Sequence, residues 1–361
     1  MNNKSAISIV AGVSIAIAVI VSVMAFGGIS NDSTPMESPE QANLVPQAEK
    51  ITILTSFYPY HEFTKNVAGD FAEVKQFMPS GVEAHDWEPR AQEIQSLKDA
   101  DVFVYNGLGM ESYIENIIES GEFDNVVFLK ASEGVELLKF EDDHDDHAKH
   151  DDHDDHDDHD EHAKEDDHDD HDDHEEGGHD GHDHDYEFDP HIWLDPILVK
   201  QQVNVIRDGL IQVDPDNKEN YEENARIYND KLDALDMKIG SALSSCQKDT
   251  IVPYHNAFTY LGERYDIHIM ALGGMAPDSE ASAAEIAEFV DFVKDNDIKV
   301  IFSEELVDPR LAEVIAEEAN AQVMLFSPLE ALSKEEAATN VSYIDKMEDN
   351  LDSLKVALEC Q

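Results

Sequence analysis

The stretch E-D-D-H-D-D-H-A-K-H (141–150) opens a tract written almost wholly in aspartate, histidine and glutamate. It repeats D-D-H triplets through His174, passes G-G-H-D-G-H-D-H (177–184), and changes abruptly into Y-E-F-D-P-H-I-W-L-D-P (186–196). A tract with so few apolar side chains cannot bury enough surface to offset its conformational entropy, so 141–185 is expected as a disordered insert. It divides an otherwise globular sequence in two, and the fold is read from what lies on either side.

On the amino-terminal side, short β-branched or apolar runs alternate with helical stretches, the pattern of a parallel α/β layer. The expected strands are 51–56, 72–78, 101–105 and 126–129, with helices over 58–68, 89–98 and 111–119. Beyond the tract come helices over 196–212 and 216–245, separated by V-D-P-D, in which Asp214 is expected to cap the second. Tyr221, Ala225, Tyr228, Leu232, Leu235 and Ile239 recur at helical spacing along it and predict a core-facing stripe. A second α/β series follows, with strands at 250–254, 267–271, 299–303 and 322–326, helices at 257–265, 281–295 and 309–319, and a closing helix at 336–358. The fold class is therefore α/β: two similar parallel-sheet lobes, 50–140 plus 186–213 and 246–361, bridged by one long helix over 214–245. Ligands of such sheets bind beyond the carboxyl ends of the strands.

The 361 residues carry a formal charge of −57, of which the tract to Asp189 accounts for −25: 27 acids against Lys149 and Lys164. The remaining −32 is still unsuited to nucleic acid or anionic headgroups and favours a cationic ligand. The uncharged run 6–29 behind Lys4 is long enough to cross a hydrocarbon core of about 30 Å, so 1–29 reads as an export signal or an uncleaved anchor. No cysteine follows it, which excludes lipoprotein processing there. Residues 30–49, rich in Ser, Pro, Asn and Gln, read as a flexible stalk. In an exported chain the two cysteines, Cys246 and Cys360, are expected to form a disulfide.

Of 18 histidines, 13 lie in the tract; the others are His61, His85, His191, His255 and His268. His85 sits in P-S-G-V-E-A-H-D-W-E-P after the second strand, His191 in F-D-P-H-I-W-L-D-P before a helix, and His255 in T-I-V-P-Y-H-N-A-F-T-Y after the first strand of the second series. Each taken alone can be a hydrogen-bonded structural imidazole. Together, at strand-to-helix junctions, they make a zinc ligand set with a fourth position for water or another oxygen. His61 falls within a helix and is expected partly exposed; His268 alternates within a strand and is expected to be structural.

These segments resemble the zinc-binding solute receptors of ABC importers, the metal-specific group of binding proteins that also contains manganese receptors. The resemblance is carried by S-F-Y-P (56–59), G-V-E-A-H-D-W-E-P (81–89), D-P-H-I-W-L-D-P (189–196), D-P-D-N-K-E-N-Y-E-E-N-A (214–225), H-N-A-F-T-Y-L (255–261), F-S-E-E-L-V-D-P-R (302–310) and S-P-L-E (327–330). It implies that His85, His191 and His255 ligate the metal, that the tract is the histidine-rich loop many zinc receptors carry, and that a membrane permease is the partner. Manganese receptors place a carboxylate where His255 stands and an Asp near Ser327. Three nitrogens without a carboxylate favour Zn²⁺ over manganese. Some zinc receptors add a carboxylate beside the first histidine, but Ala84 occupies that place, so the fourth ligand stays open.

The tract itself offers His144, His147, His150, His153, His156, His159, His162, His168, His171, His174, His179, His182 and His184 among carboxylates, as overlapping accessory metal sites. Each is of modest affinity because binding must order the backbone. The expected function is an extracytoplasmic, monomeric, non-enzymatic zinc receptor delivering Zn²⁺ to an ABC-type importer. The alternatives are a manganese or other divalent-metal receptor of the same group, a secreted zinc hydrolase with Glu304 or Glu305 as base, and a metal storage or adhesion protein.

Overall fold

In the computed structural model, which describes residues 50–139, 187–274, 277 and 282–361, the first apolar run becomes strand β1 (Thr52–Thr55) and passes directly into helix α1 (Tyr58–Ala68). All described residues belong to one compact unit, Glu49–Gln361. The expectations for 1–49 and for the tract, including its thirteen histidines, lie outside the described residues.

The first series continues through β2 (Glu73–Gln76), α2 (Ala91–Ser96), β3 (Val102–Tyr105), α3 (Ile114–Glu119) and β4 (Val127–Lys130). Its four strands form one parallel sheet in the order β2-β1-β3-β4, with Ile53 opposite both Val74 and Val102. Helix α4 (Pro196–Val213) starts sharply because Asp195 Oδ1 accepts from the backbone N–H of Ile197 (2.7 Å) and proline occupies the first turn. It lies so close to β4 that a Cβ on Gly209 would meet the Leu129 side chain at 2.5 Å.

Helix α5 (Lys218–Leu243) is 26 residues, about 39 Å long. Its buried residues are the predicted stripe, Tyr221 to Ile239, and it packs against α1 and α4 and against two helices of the second series. One core cluster therefore runs from Ile53 and Phe57 through Tyr228 to Phe258 and Leu354. Asp214 does not cap α5 as expected. A 3-10 turn, Pro215–Asn217, intervenes, and Asp214 Oδ2 accepts instead from the Asn217 side chain (2.8 Å) and the Tyr221 hydroxyl (2.7 Å).

The second series is β5 (Thr250–Ile251), α6 (Thr259–Tyr265), β6 (His268–Ile269), α7 (Ala283–Asp295), β7 (Val300–Ser303), α8 (Arg310–Ala319), β8 (Gln322–Leu325), α9 (Lys334–Thr339) and α10 (Tyr343–Ala357). Its strands pair as two parallel ladders, β5-β6 and β7-β8, joined by the bond from Phe302 N–H to Val252 O (2.9 Å). The order β6-β5-β7-β8 thus repeats that of the first sheet in a thinner form. The strand expected over 250–254 stops at Ile251, since Pro253 has no N–H to give a ladder. The single closing helix expected over 336–358 is two helices. Asn340, at φ 55°, ends α9, and the Ser342–Asp345 capping box starts α10. Cys246 and Cys360 are joined by a disulfide that pins the carboxyl terminus beside the end of α5.

Candidate metal centre

His85 lies in the loop after β2, His191 immediately before the turn that leads into α4, and His255 in the loop between β5 and α6. All three are buried, His191 and His255 completely. The structure brings these three together and adds a fourth group, Glu330, from the loop after β8. One ligand atom from each lies within 4.8 Å of every other.

Glu330 Oε1 is 3.3 Å from His85 Nε2, 3.3 Å from His191 Nε2 and 3.4 Å from His255 Nε2, and the Nε2 atoms of His85 and His191 are 3.4 Å apart. A tetrahedral ion with Zn–N bonds of 2.0–2.1 Å has ligand-to-ligand edges of about 3.3–3.4 Å. Four of the six edges are thus already at that length.

Glu330 stands at the fourth position, which the sequence left open to water or another oxygen. Ser327 takes no place in the cluster; its hydroxyl accepts from Leu329 N–H (3.2 Å), and Leu329 adopts φ 58°, the turn that carries Glu330 inward. The sequence signal was an acid just past the carboxyl end of the last strand, where ligands collect.

Each fully buried imidazole is oriented through its other nitrogen. Asp189 Oδ1 lies 2.8 Å from His191 Nδ1 and also accepts from His191 N–H at 2.8 Å. Glu304 Oε1 lies 2.6 Å from His255 Nδ1. These carboxylates hold the protons on Nδ1 and leave both Nε2 lone pairs facing the cluster. His255 Nε2 makes no hydrogen bond despite complete burial. Glu304 therefore orients His255, whereas Glu305 and Glu336 both pair with the buried Lys346.

The turn holding His191 is itself braced. Asn106 Nδ2 donates to Pro190 O (3.0 Å), Gln202 Nε2 donates to Ile192 O (3.2 Å), and the Tyr60 hydroxyl links the two amides at 2.5 and 3.0 Å. On the far side Trp193 Nε1 donates to Pro328 O (2.7 Å), two residues from Glu330.

The charges follow the geometry. Burial works against a proton on His191, but Asp189 and Glu330 outweigh it and raise its pKa. Burial is likewise overcome at His255 by Glu304 and Glu330, which push it well above the ordinary imidazole value. For His85 burial prevails over Glu330 and lowers the pKa. Glu330 is held well below the usual carboxylate range because the three imidazoles overcome its burial. Near the cluster, Glu83 is pushed up to about 9 by burial and by Glu330.

The remaining expected positions fall elsewhere. His61 is half-buried on α1, 3.5 Å from Thr55 Oγ1, with burial and Lys65 lowering its pKa to about 4. His268 is exposed on β6 rather than packed. Among the described residues no helix is long and apolar enough to cross a membrane.

Two parallel-sheet series sharing a core, with a buried three-histidine, one-carboxylate cluster at their strand ends, define a metal-binding receptor of the solute-binding class. The chain belongs to the family described as the zinc-uptake complex component A, periplasmic, whose model matches residues 53–357. It is 36% identical over 313 residues to the high-affinity zinc uptake system protein ZnuA of Bacillus subtilis, covering 86% of this chain and 89% of that one. It is 37% identical over 310 residues to the zinc-binding lipoprotein AdcA of Streptococcus pneumoniae, covering 85% of this chain but 55% of that one, so it spans just over half of that relative's length. The crystal structure of the Zn(II)-bound ZnuA-like domain of the pneumococcal AdcA superposes with a TM-score of 0.67 at 34% identity, covering 86% of this chain and all of that one.

Proposed function

We propose that the chain is an extracytoplasmic high-affinity zinc receptor that delivers Zn²⁺ to the permease of an ABC-type importer, with His85, His191, His255 and Glu330 as its ligands. The observation that carries this reading is the set of 3.3–3.4 Å separations among four buried donor atoms, the edge length of tetrahedral zinc. Nitrogen-rich donors suit zinc better than manganese, which prefers oxygen. Three buried carboxylates, Asp189, Glu304 and Glu330, beside three imidazoles make a net negative pocket whose charge a dication largely offsets.

Four protein donors close the coordination sphere, as in structural zinc sites, and Glu304 is committed to His255. This supports a receptor over a hydrolase, which needs an open position for water and a free base. The lobes are assigned as 50–140 plus 186–213 and 246–361, with 214–245 as the bridge and the tract as an accessory collector of metal. Export is through the amino-terminal segment.

The test is competition titration with Zn²⁺ and Mn²⁺ on a chain lacking 141–185. One tightly held zinc per chain, preferred over manganese and lost in His255→Ala, is expected. An isotherm unchanged by His255→Ala would overturn the assignment.

A further inference from the structure

We propose that Glu83 is a transit carboxylate: it takes hold of the entering dication ahead of the three imidazoles and passes it on without joining the final donor set. The inference rests on the zinc-binding reading above. A crevice of about 20 Å³ has exposed Leu306, half-buried Glu83 and buried Glu330 together in its lining. A cavity needs about 10–15 Å³ to hold the centre of one water, whose share of liquid volume is about 30 Å³. The crevice therefore admits one or two oxygen-sized bodies, not an ion with its full hydration shell.

An ion passing through must exchange waters for protein oxygens, because a dication stripped without replacement is prohibitively costly. Four carboxylates line the crevice: Glu83, Glu304, Glu305 and Glu330. Glu304 Oε1 is occupied by His255, Glu305 pairs with Lys346, and Glu330 already belongs to the four-donor cluster.

Glu83 is different. Its Oε2 accepts from Asp86 N–H at 3.0 Å, while its Oε1 is buried and makes no hydrogen bond. It lies outside the four-donor cluster. The bond from Gly81 N–H to Leu332 O (2.8 Å) ties its loop to the segment carrying Glu330, which keeps both carboxylates in the lining of one crevice.

A group that holds the ion only in passage lowers the barrier for entry and exit alike. Its loss slows both rates by one factor and leaves the equilibrium where it was. In stopped-flow zinc binding and chelator-driven release with the full chain, Glu83→Gln is expected to slow both rates at least about tenfold. The dissociation constant should stay within about twofold, and Glu83→Asp should recover most of the rate. Unchanged rates in Glu83→Gln would sink the transit role, and faster release with weakened affinity would make Glu83 a true ligand instead. His255→Ala in the same assay separates the two levels. If the tight phase survives that change, the site assignment itself falls; if it is lost, the Glu83 rates judge the transit role alone.

Discussion

His191 and His255 do the same work by different routes. Both are fully buried, both turn Nε2 toward Glu330, and both present Nδ1 to a carboxylate. The partner of His191 is Asp189, two positions away in the same turn; the partner of His255 is Glu304, 49 positions away on the end of another strand. The first imidazole is oriented by its own local chain. The second is oriented only once β5 and β7 lie side by side. One half of the site is therefore built by sequence proximity and the other by the sheet.

The sharpest way to separate these routes is to remove each carboxylate. Asp189→Ala and Glu304→Ala should each weaken zinc binding by about 10- to 100-fold, the usual cost of losing the group that orients a metal-ligating histidine. Thermal melting of the metal-free protein should distinguish them. Asp189 also accepts the His191 backbone N–H, so its loss unpicks the turn and lowers the melting temperature further than loss of Glu304. Equal melting temperatures would contradict the local-versus-distant division.

Protons should compete with metal at these two histidines and not at the third. The pKa values of His191 and His255 are raised and that of His85 is lowered. Zinc affinity should therefore begin to fall at a pH above the ordinary imidazole value of 6.5, approaching a slope of about two protons per ion. Competition titrations across pH would show it. For metal-free protein the linkage has the opposite sense. Raised imidazole pKa values contribute stability that is full below about 6.5 and lost as pH rises through the raised values. The lowered pKa of Glu330 contributes stability that is present above about 4.5 and lost as pH falls further. This cluster should stabilise the empty fold most between those limits, as melting against pH would reveal.

The smallest effect on metal binding belongs to a part remote from both histidines. Cys360→Ser should cost about 2–5 kcal/mol of stability, since the disulfide closes a span of 114 positions, while zinc affinity stays unchanged. A loss of affinity in that variant would mean the terminus bears on the site.

The same division governs what the sequence discloses. The alternation of apolar runs and helices, and the Tyr221–Ile239 stripe, are local periodicities, and they foretell the elements and the buried face of α5. His85, His191 and His255 stand out because each lies in a loop that follows a strand or leads into a helix. Asp189 is visible in D-P-H, but its role needs the turn. Glu330 is one glutamate among many in an acidic chain, and only the positive φ of Leu329 turns it inward. The helix break lies in T-N-V-S (339–342), where a left-handed asparagine ends one helix and a serine caps the next.

Trp193 gives the site a mechanical property. Its indole N–H reaches Pro328 O across 135 positions of sequence, and its own carbonyl accepts from the Tyr343 hydroxyl. The turn bearing His191 and the turn bearing Glu330 are thereby geared to each other. A motion that drew the two halves of the molecule apart would carry this pair of donors as one piece until the indole let go.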